Sequence, residues 1–526
     1  MNRLRTIVLH PFLFAVYPIL ALLAHNIQEV YPSAALRSLL VALAAAVILL
    51  AAGRLIFGSW AKAAIWVSIF LIIFFTYGHL YLLLKANPVL YPIIGRHRVL
   101  VTVALIILVG LAWSLVKRVK QTGLATQAFN LIAILLLILP VFQLGSYAVR
   151  SLSAESRANI QPATGSLLQP DPAKPLPDIY YIILDRYARD DILQNTFNYD
   201  NSSFLKELEA RGFYVARCSM SNYAHTALAL GSTLNMDYLD KLAKSFQPGN
   251  TDRTLLTLFM RDPRVRQELE KIGYVTVSLS GFEPFQMPDA AFFFNPNIVQ
   301  LTDKAGNPLV NPFESMLIKS TAGIILLDLK SVQNNRLAQD VNYPYAAHIQ
   351  SQKYILNKLE YIPQIRGPKA VFVHIKIPHP PYVFGPTGEL IENPPPFPET
   401  GYTIDPELIK KLYVDQVIYI NSQILPLIDR IVAQSEVKPI ILLQGDHGFD
   451  PPNRMEILSA YLVPDEVKSA LYPAISPVNS FRLLFDNYFG GNYPLLPDVS
   501  YYSNYATPYE YTVIQDARPG CETPGK

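Results

Sequence analysis

The sequence predicts a chain of two parts: an N-terminal α-helical membrane domain of five transmembrane helices over residues 1–150, and a C-terminal α/β domain with a mainly parallel sheet over residues 178–526, joined by a linker at 151–177. Three observations carry this. The 526-residue chain is 51% hydrophobic and only 16% charged, with a mean hydropathy of +0.22, too apolar for an ordinary soluble protein. Its charge is divided: of 44 Lys and Arg and 41 Asp and Glu, residues 1–150 hold twelve bases and one acid, Glu29, so the remainder is net acidic. After residue 178, short apolar runs alternate with amphipathic helical patterns.

Five apolar stretches precede residue 150, at 11–25, 35–53, 63–84, 99–116 and 128–147. All but the first approach or exceed the ~20 residues that cross a bilayer. The first follows Arg3 and Arg5 but has no small-residue cleavage site behind it, so it reads as a retained span and not a signal peptide. Trp60, Tyr81, Tyr91, Trp113 and Tyr147 fall near predicted ends, where aromatic belts form. With the N-terminus inside, the inner loops carry Arg3, Arg5, Arg54, Lys62, Lys117, Arg118 and Lys120, against Arg37, Lys85, Arg96, Arg98 and Arg150 outside. Five spans then place the large domain beyond the cytoplasmic membrane. The spans hold no Asp or Glu, which favours an anchor over an ion-coupled transporter.

Pro162, Pro170, Pro172, Pro175 and Pro177 mark the linker as extended. Beyond it, 178–185, 274–280, 370–377 and 439–444 read as buried strands, and 203–211, 254–272, 345–361 and 406–434 as helices. Such alternation predicts an α/β domain with insertions, among them a stiff Pro-rich loop around Pro395. A net-acidic domain excludes a nucleic-acid partner. Cys218 and Cys521 are too few for a disulfide framework, and the sequence leaves open whether they pair.

Active sites of parallel sheets form at strand C-terminal ends. The first strand ends in Asp185, before Arg186, and the fourth in Gln444-Gly-Asp446-His447-Gly448. A carboxylate, then a carboxylate beside an imidazole, is a ligand set that favours zinc or manganese, with magnesium less favoured. In Ser221-Asn-Tyr-Ala-His225-Thr226 a polar turn runs into an Ala/Leu helix. Thr226 is thereby placed near a helix N-terminus, where a hydroxyl can ligate a metal and backbone N–H groups can cradle a phosphate. His374-Ile-Lys376-Ile-Pro-His379 leaves another strand end, and His379 there is placed to contact substrate oxygens or protonate a leaving group. Singly each signal has a bland reading: a structured turn, a helix cap, a histidine packed on prolines. Together, each at a strand end or helix start, they point to one metal site.

These motifs resemble the alkaline phosphatase/sulfatase superfamily over about residues 176–500. The architecture resembles its branch of lipoteichoic acid synthases and phosphoethanolamine transferases. Segments 453–464 and 476–482 are similar to the family's closing segments. The resemblance implies a metal shell of Asp185, Thr226, Asp446 and His447, with Thr226 as nucleophile and His379 as a substrate-binding residue; Lys376 and Arg454 are further candidates for binding substrate. Two departures stand out. Lipoteichoic acid synthases have a glutamate where this chain has Asp185, and the Cys/Ser-x-Pro-x-Arg signature of sulfatases is absent around Thr226 and Cys218. A second metal set is not evident, Asp415 and Asn421 lying on a predicted helix, so one divalent metal ion is expected. The implied activity is transfer of a phospho-head group from a membrane lipid donor to a glycan or other hydroxyl acceptor through a covalent phosphothreonine. The alternatives are an extracytoplasmic phosphodiesterase or related hydrolase, and a catalytically inactive binding module.

Overall fold

The computed structural model of the chain describes residues 7–27, 32–85, 87, 89–158, 168–295, 310–328, 345–391, 394, 405–450, 453–516, 518 and 520–521. It divides into two compact units, residues 1–152 with 306–347, and residues 153–305 with 348–526. The sequence reading keeps 178–526 together, because nothing in the composition of 306–347 sets that segment apart.

The first unit contains α1 (His10–His25), α2 (Leu36–Phe57), α3 (Trp60–Lys85), α4 (His97–Lys117) and α5 (Gly123–Ala158). Four stretches, 32–57 and 60–85 and 97–117 and 123–149, are long and apolar enough to cross a membrane. Of the five expected spans, the first forms a helix of only 16 residues, about 24 Å at 1.5 Å per residue, short of a hydrocarbon core of ~30 Å. Large apolar side chains such as Leu55, Ile106, Val109 and Leu139 point outward, as lipid-facing residues do. Helix α5 continues to Ala158, so the first residues of the expected linker are helical; 159–167 lie outside the described residues.

A short helix, Pro312–Ser320, is built into this unit. Asn311 and Glu314 close a reciprocal capping box at its start, and the Arg37 guanidinium grips Glu314 through two donors. Its far end rests on α3 at Gly78, where a Cβ would fall 2.3 Å from the Ser320 carbonyl carbon. Ala322 N donates to Phe74 O nearby at 2.8 Å.

The second unit is the α/β domain. Its strands are β1 (Ile179–Leu184), β2 (Tyr214–Val215), β3 (Val275–Ser280), β4 (Phe292–Phe294), β5 (Lys369–Ile375), β6 (Ile440–Gln444) and β7 (Ser459–Leu462), in the order β2-β7-β6-β1-β5-β3-β4. The pairings β6–β1, β1–β5, β5–β3 and β3–β4 are parallel, while β7 and β2 add antiparallel pairs at one edge. All six residues of β1 are buried, as its unbroken apolar run requires at the centre of a covered sheet. Tyr181 and Ile183 face Leu228, Leu230 and Leu234 of the helix Thr226–Asn235 in one core.

The expected single helix over 254–272 is two, Thr254–Arg261 and Arg264–Lys271. Pro263 separates them, because its ring holds Asp262 out of helical geometry and it offers no N–H. Helix Pro406–Gln434 forms as read, started by the Asp405 cap with Pro406 at its first position. Strand β7 and helix Pro477–Tyr488 were read only as part of the resemblance. The Pro-rich loop around Pro395 lies outside the described residues except for Pro394.

Cys218 and Cys521 form a disulfide, which closes a sequence separation of 303 residues. Beside it Arg518 binds Asp190, and Asp516 binds Arg189, so the C-terminal segment is held by charge as well as covalently. Replacing Cys521 with Ser is expected to destabilise this unit by about 2–5 kcal/mol. Thermal melting of the full chain, with and without reductant, measures it: the variant unreduced should match the parent reduced.

Candidate metal centre

Register explains why the chemistry converges. Leu184 is level with Ile375 of β5, and Ile183 with Gln444 of β6, so three parallel strands end at one height. The residues that follow, Asp185, Gly445-Asp446-His447 and the turn carrying His379, emerge together at the C-terminal edge. Asp185 N donates to Ile375 O at 2.9 Å and His379 N to Asp185 O at 3.1 Å, tying the ends of β1 and β5.

Asp185, Asp446 and His447 are buried and present ligand atoms within 4.8 Å of one another. His447 Nε2 lies 3.8 Å from Asp185 Oδ1, 3.7 Å from Asp446 Oδ2 and 3.4 Å from Thr226 Oγ1. Its Nδ1 faces Gly448 O at 2.8 Å and therefore carries the proton, which leaves the Nε2 lone pair turned into the cluster. Asp185 Oδ1 and Asp446 Oδ2 are buried and have no hydrogen-bond partner among the described residues. Two uncompensated carboxylate oxygens aimed at one imidazole lone pair are costly without a cation and fit one well.

The electrostatics agree. Burial, then the charge of Asp185, pushes the Asp446 carboxyl up to about 7. Burial also penalises the Asp185 charge, but His379, His374 and His447 outweigh it and hold Asp185 below the usual carboxylate range. Burial, with Arg454 next, pulls the His447 imidazole well down, so it is neutral at pH 7, as a metal ligand must be.

Thr226 is the first residue of its helix, Thr226–Asn235, with the preceding turn pinned on several sides. Ser221 N donates to Met455 O at 2.6 Å, Asn222 Nδ2 donates to Ser476 Oγ at 3.0 Å, and Val478 N donates to Asn222 Oδ1 at 2.8 Å. Thr226 is partly exposed and stands at the helix start, where first-turn N–H groups lack intrahelical partners and can cradle an anion.

The remaining candidates divide. His379 is partly exposed; its Nδ1 donates to Pro380 O, leaving Nε2 as an acceptor, and burial lowers its pKa to about 4 despite Asp185. Arg454 donates to Ala224 O, to Phe449 O at 3.1 Å and to Asp450 Oδ1 at 3.3 Å, bordering the Thr226 turn. Lys376 is not drawn in: its ammonium lies 5.8 Å from the Phe282 ring, with no contact to the cluster among the described residues. Asp415 pairs with Lys411, and Asn421 accepts from Tyr187 Oη at 2.6 Å, so both serve the helix Pro406–Gln434.

Two residues beside the cluster were not among the sequence candidates. His374 is fully buried on β5, its Nε2 3.4 Å from Asp185 Oδ2, where it steadies that carboxylate. A histidine in the apolar run Ala370–Ile377 was the available signal. Arg186 takes φ +69°, a left-handed conformation costly for a side chain with a Cβ, and its N–H donates to Asp446 Oδ1 at 3.0 Å. Its guanidinium and that of Arg454 share Asp450. No sequence pattern announces that conformation.

Gly445 and Gly448 are required by close approach. A Cβ on Gly445 would fall 2.6 Å from Tyr187 O, and one on Gly448 would fall 2.6 Å from Asn453 O and 2.7 Å from Glu456 O. All three are backbone atoms that cannot swing aside. Gly445→Ala is expected to cost about 1–3 kcal/mol and to loosen the cluster, read as a lower melting temperature together with weaker metal retention.

No protein-family model matches the sequence, and no curated protein does. Among solved structures, the chain is similar to the zinc-complexed C-terminal periplasmic domain of EptC from Escherichia coli, at 12% identity and a TM-score of 0.41, covering 68% of this chain and 98% of that one. It is similar to the integral membrane lipooligosaccharide phosphoethanolamine transferase A of Neisseria meningitidis, at 12% identity and a TM-score of 0.38, covering 93% and 98%. A candidate sulfatase of Bacteroides fragilis gives 13% identity and a TM-score of 0.37, covering 65% and 84%.

Proposed function

We propose that this chain is a membrane-bound, metal-dependent transferase of the alkaline phosphatase/sulfatase superfamily, which moves a phospho-head group from a lipid donor to a hydroxyl acceptor. One observation carries the reading. A buried Asp185–Asp446–His447 cluster with unsatisfied ligand atoms faces the Thr226 hydroxyl at a helix start, in a chain with at least four membrane-length helices.

Asp185, Asp446, His447 and Thr226 would hold one divalent cation, zinc or manganese before magnesium. When bound, it supplies Lewis-acid polarisation of phosphate oxygens and lowers the pKa of a ligated hydroxyl. Thr226 Oγ forms a bond to the donor phosphorus as the bond from phosphorus to the lipid alcohol breaks. The proton that Thr226 gives up leaves on that alcohol. The acceptor hydroxyl then displaces Thr226 from phosphorus and returns a proton to it. His379, neutral at pH 7 with Nε2 free to accept, takes the acceptor's proton in passing. Arg454, with Arg186 beside it, binds the non-bridging oxygens. Resolution of the same intermediate by water would make the chain a hydrolase.

The domain is read as lying outside the cytoplasmic membrane. The Cys218–Cys521 disulfide, a bond that belongs to oxidising compartments, supports this. The test is intact-protein and peptide mass spectrometry of the full chain after incubation with phosphatidylethanolamine or phosphatidylglycerol vesicles. The expected result is a head-group phosphate on the Thr226 peptide, and its transfer to an added glycan acceptor. Free head group alone, with or without acceptor, selects the hydrolase. Turnover with an adduct on another residue overturns the assignment of Thr226.

A further inference from the structure

The membrane unit carries a half-open cavity of about 440 Å³ that the catalytic reading does not use. That volume lies in the range of small-molecule sites, roughly 300–1,000 Å³. One wall is a single face of α2: Arg37, Val41, Ala45 and Leu49 recur every four residues, and Phe70 and Phe74 of α3 face them across the space. From Arg37 to Leu49 this face runs about 18 Å at 1.5 Å per residue, more than half the depth of a hydrocarbon core. Ala42 and Ala45 are the small residues that leave the room.

Polarity is graded along it. At the α2 start stands the pair Arg37–Glu314, in which the Glu314 side chain is 7% exposed and that of Arg37 57% exposed. Ser38 sits beside it, and the Thr321 hydroxyl is already satisfied by Ile318 O at 3.0 Å. Beyond this end the α2 and α3 walls are aliphatic or aromatic. Water gains nothing in such a slot, and no apolar side chain of the described residues fills it. An elongated apolar slot with a half-exposed guanidinium at one end matches a hydrocarbon chain carrying an anionic head.

We infer that this cavity binds one acyl chain of a phosphate-headed membrane lipid, with the phosphate at Arg37 and the chain lying along α2 between Val41 and Leu49. The inference stands apart from the metal centre, since it draws only on residues of the membrane unit.

The test uses the full chain in phosphatidylcholine vesicles doped with phosphatidylglycerol that carries a photoreactive diazirine on one acyl chain. After illumination, labelled peptides are mapped. Label should concentrate on residues 41–49 and 70–75, about tenfold above lipid-facing positions of α4 such as Ile106 and Val109, a preference of about 1.4 kcal/mol. Ala45→Trp, which fills the slot, should remove that excess while leaving α4 labelling unchanged, and the gentler Ala45→Leu should reduce it. Arg37→Gln should weaken labelling by the phosphatidylglycerol probe but not by a diacylglycerol bearing the same chain. Label spread evenly over α2, α4 and α5, or an excess that survives both Ala45 variants, overturns the site. Equal effects of Arg37→Gln on both probes overturn the phosphate contact. Metal content of the same preparations reports separately on the catalytic reading.

Discussion

Thr226→Ala is expected to abolish turnover, by about 10³-fold or more, while the domain stays folded and keeps most of its metal. The hydroxyl lies at the first position of its helix and is partly exposed, so its loss opens no cavity. The fold around it is set by Ser221 and Asn222, whose contacts the substitution leaves intact. Asp185, Asp446 and His447 still offer three ligand atoms. Thr226→Ser, which restores an oxygen at the same Cβ, should recover activity that Ala cannot. Release of head group from lipid vesicles, followed beside the melting temperature, reads both effects. An Ala variant with parental turnover removes Thr226 from the chemistry.

The second large effect concerns the paired carboxylates. Asp446→Asn should weaken metal binding by about 100-fold or more, taking the roughly 10–100-fold cost of losing an outer partner as the floor. Without metal, the same change should stabilise the fold near neutral pH, because it removes the charge that Asp185 opposes. The direction with pH follows. Asp446 is raised in the folded state from the ordinary 3.8 to about 7, so the stability it contributes is fully present at low pH and is lost as pH rises through about 7. Asp185 is lowered, so its contribution is lost only as pH falls below the ordinary carboxylate range. Between these limits Asp446 governs the pair. Because His379 and His447 are lowered, they favour the fold as pH rises over the same interval, so the Asp446 share is read as a difference: metal-free Asp446→Asn should gain more stability over the metal-free parent at pH 7 than at pH 5, and the metal-loaded pair should not. A gain of the variant over the parent that is the same at both pH values contradicts the assignment.

The parts of the fold legible in the sequence are those where one physical pattern dominates. The buried run ending in Asp185 and the Pro406–Gln434 pattern declare a central strand and a capped helix, and both form within a residue or so of where they were read. The helix break at Pro263 was legible too and was overridden by the apolar periodicity on either side. The short edge strands β2 and β4 carry too few residues for a period to register. Within the site, Asp446-His447-Gly448 is a local motif, and strand-end logic joins it to Asp185. Arg186 and His374 act through a backbone dihedral and a sheet register, which exist only once β1, β5 and β6 are paired. Lys376 shows the converse: close to His379 in sequence, it turns instead to Phe282. Insertion of Pro312–Ser320 into the membrane unit rests on contacts far apart in sequence, among them the Arg37–Glu314 pair 277 residues apart, the Ala322–Phe74 hydrogen bond and the close approach at Gly78, which a linear reading cannot weigh.

The most direct measurement is the metal content of the purified full chain, set beside Asp446→Ala and His447→Ala, after equilibration with zinc or manganese and removal of the unbound ion. One tightly held divalent ion per chain in the parent, lost in both variants while their disulfide and secondary structure persist, is the predicted result. A folded parent that retains no metal under these conditions, or variants that hold it as firmly as the parent, contradicts the account at its centre.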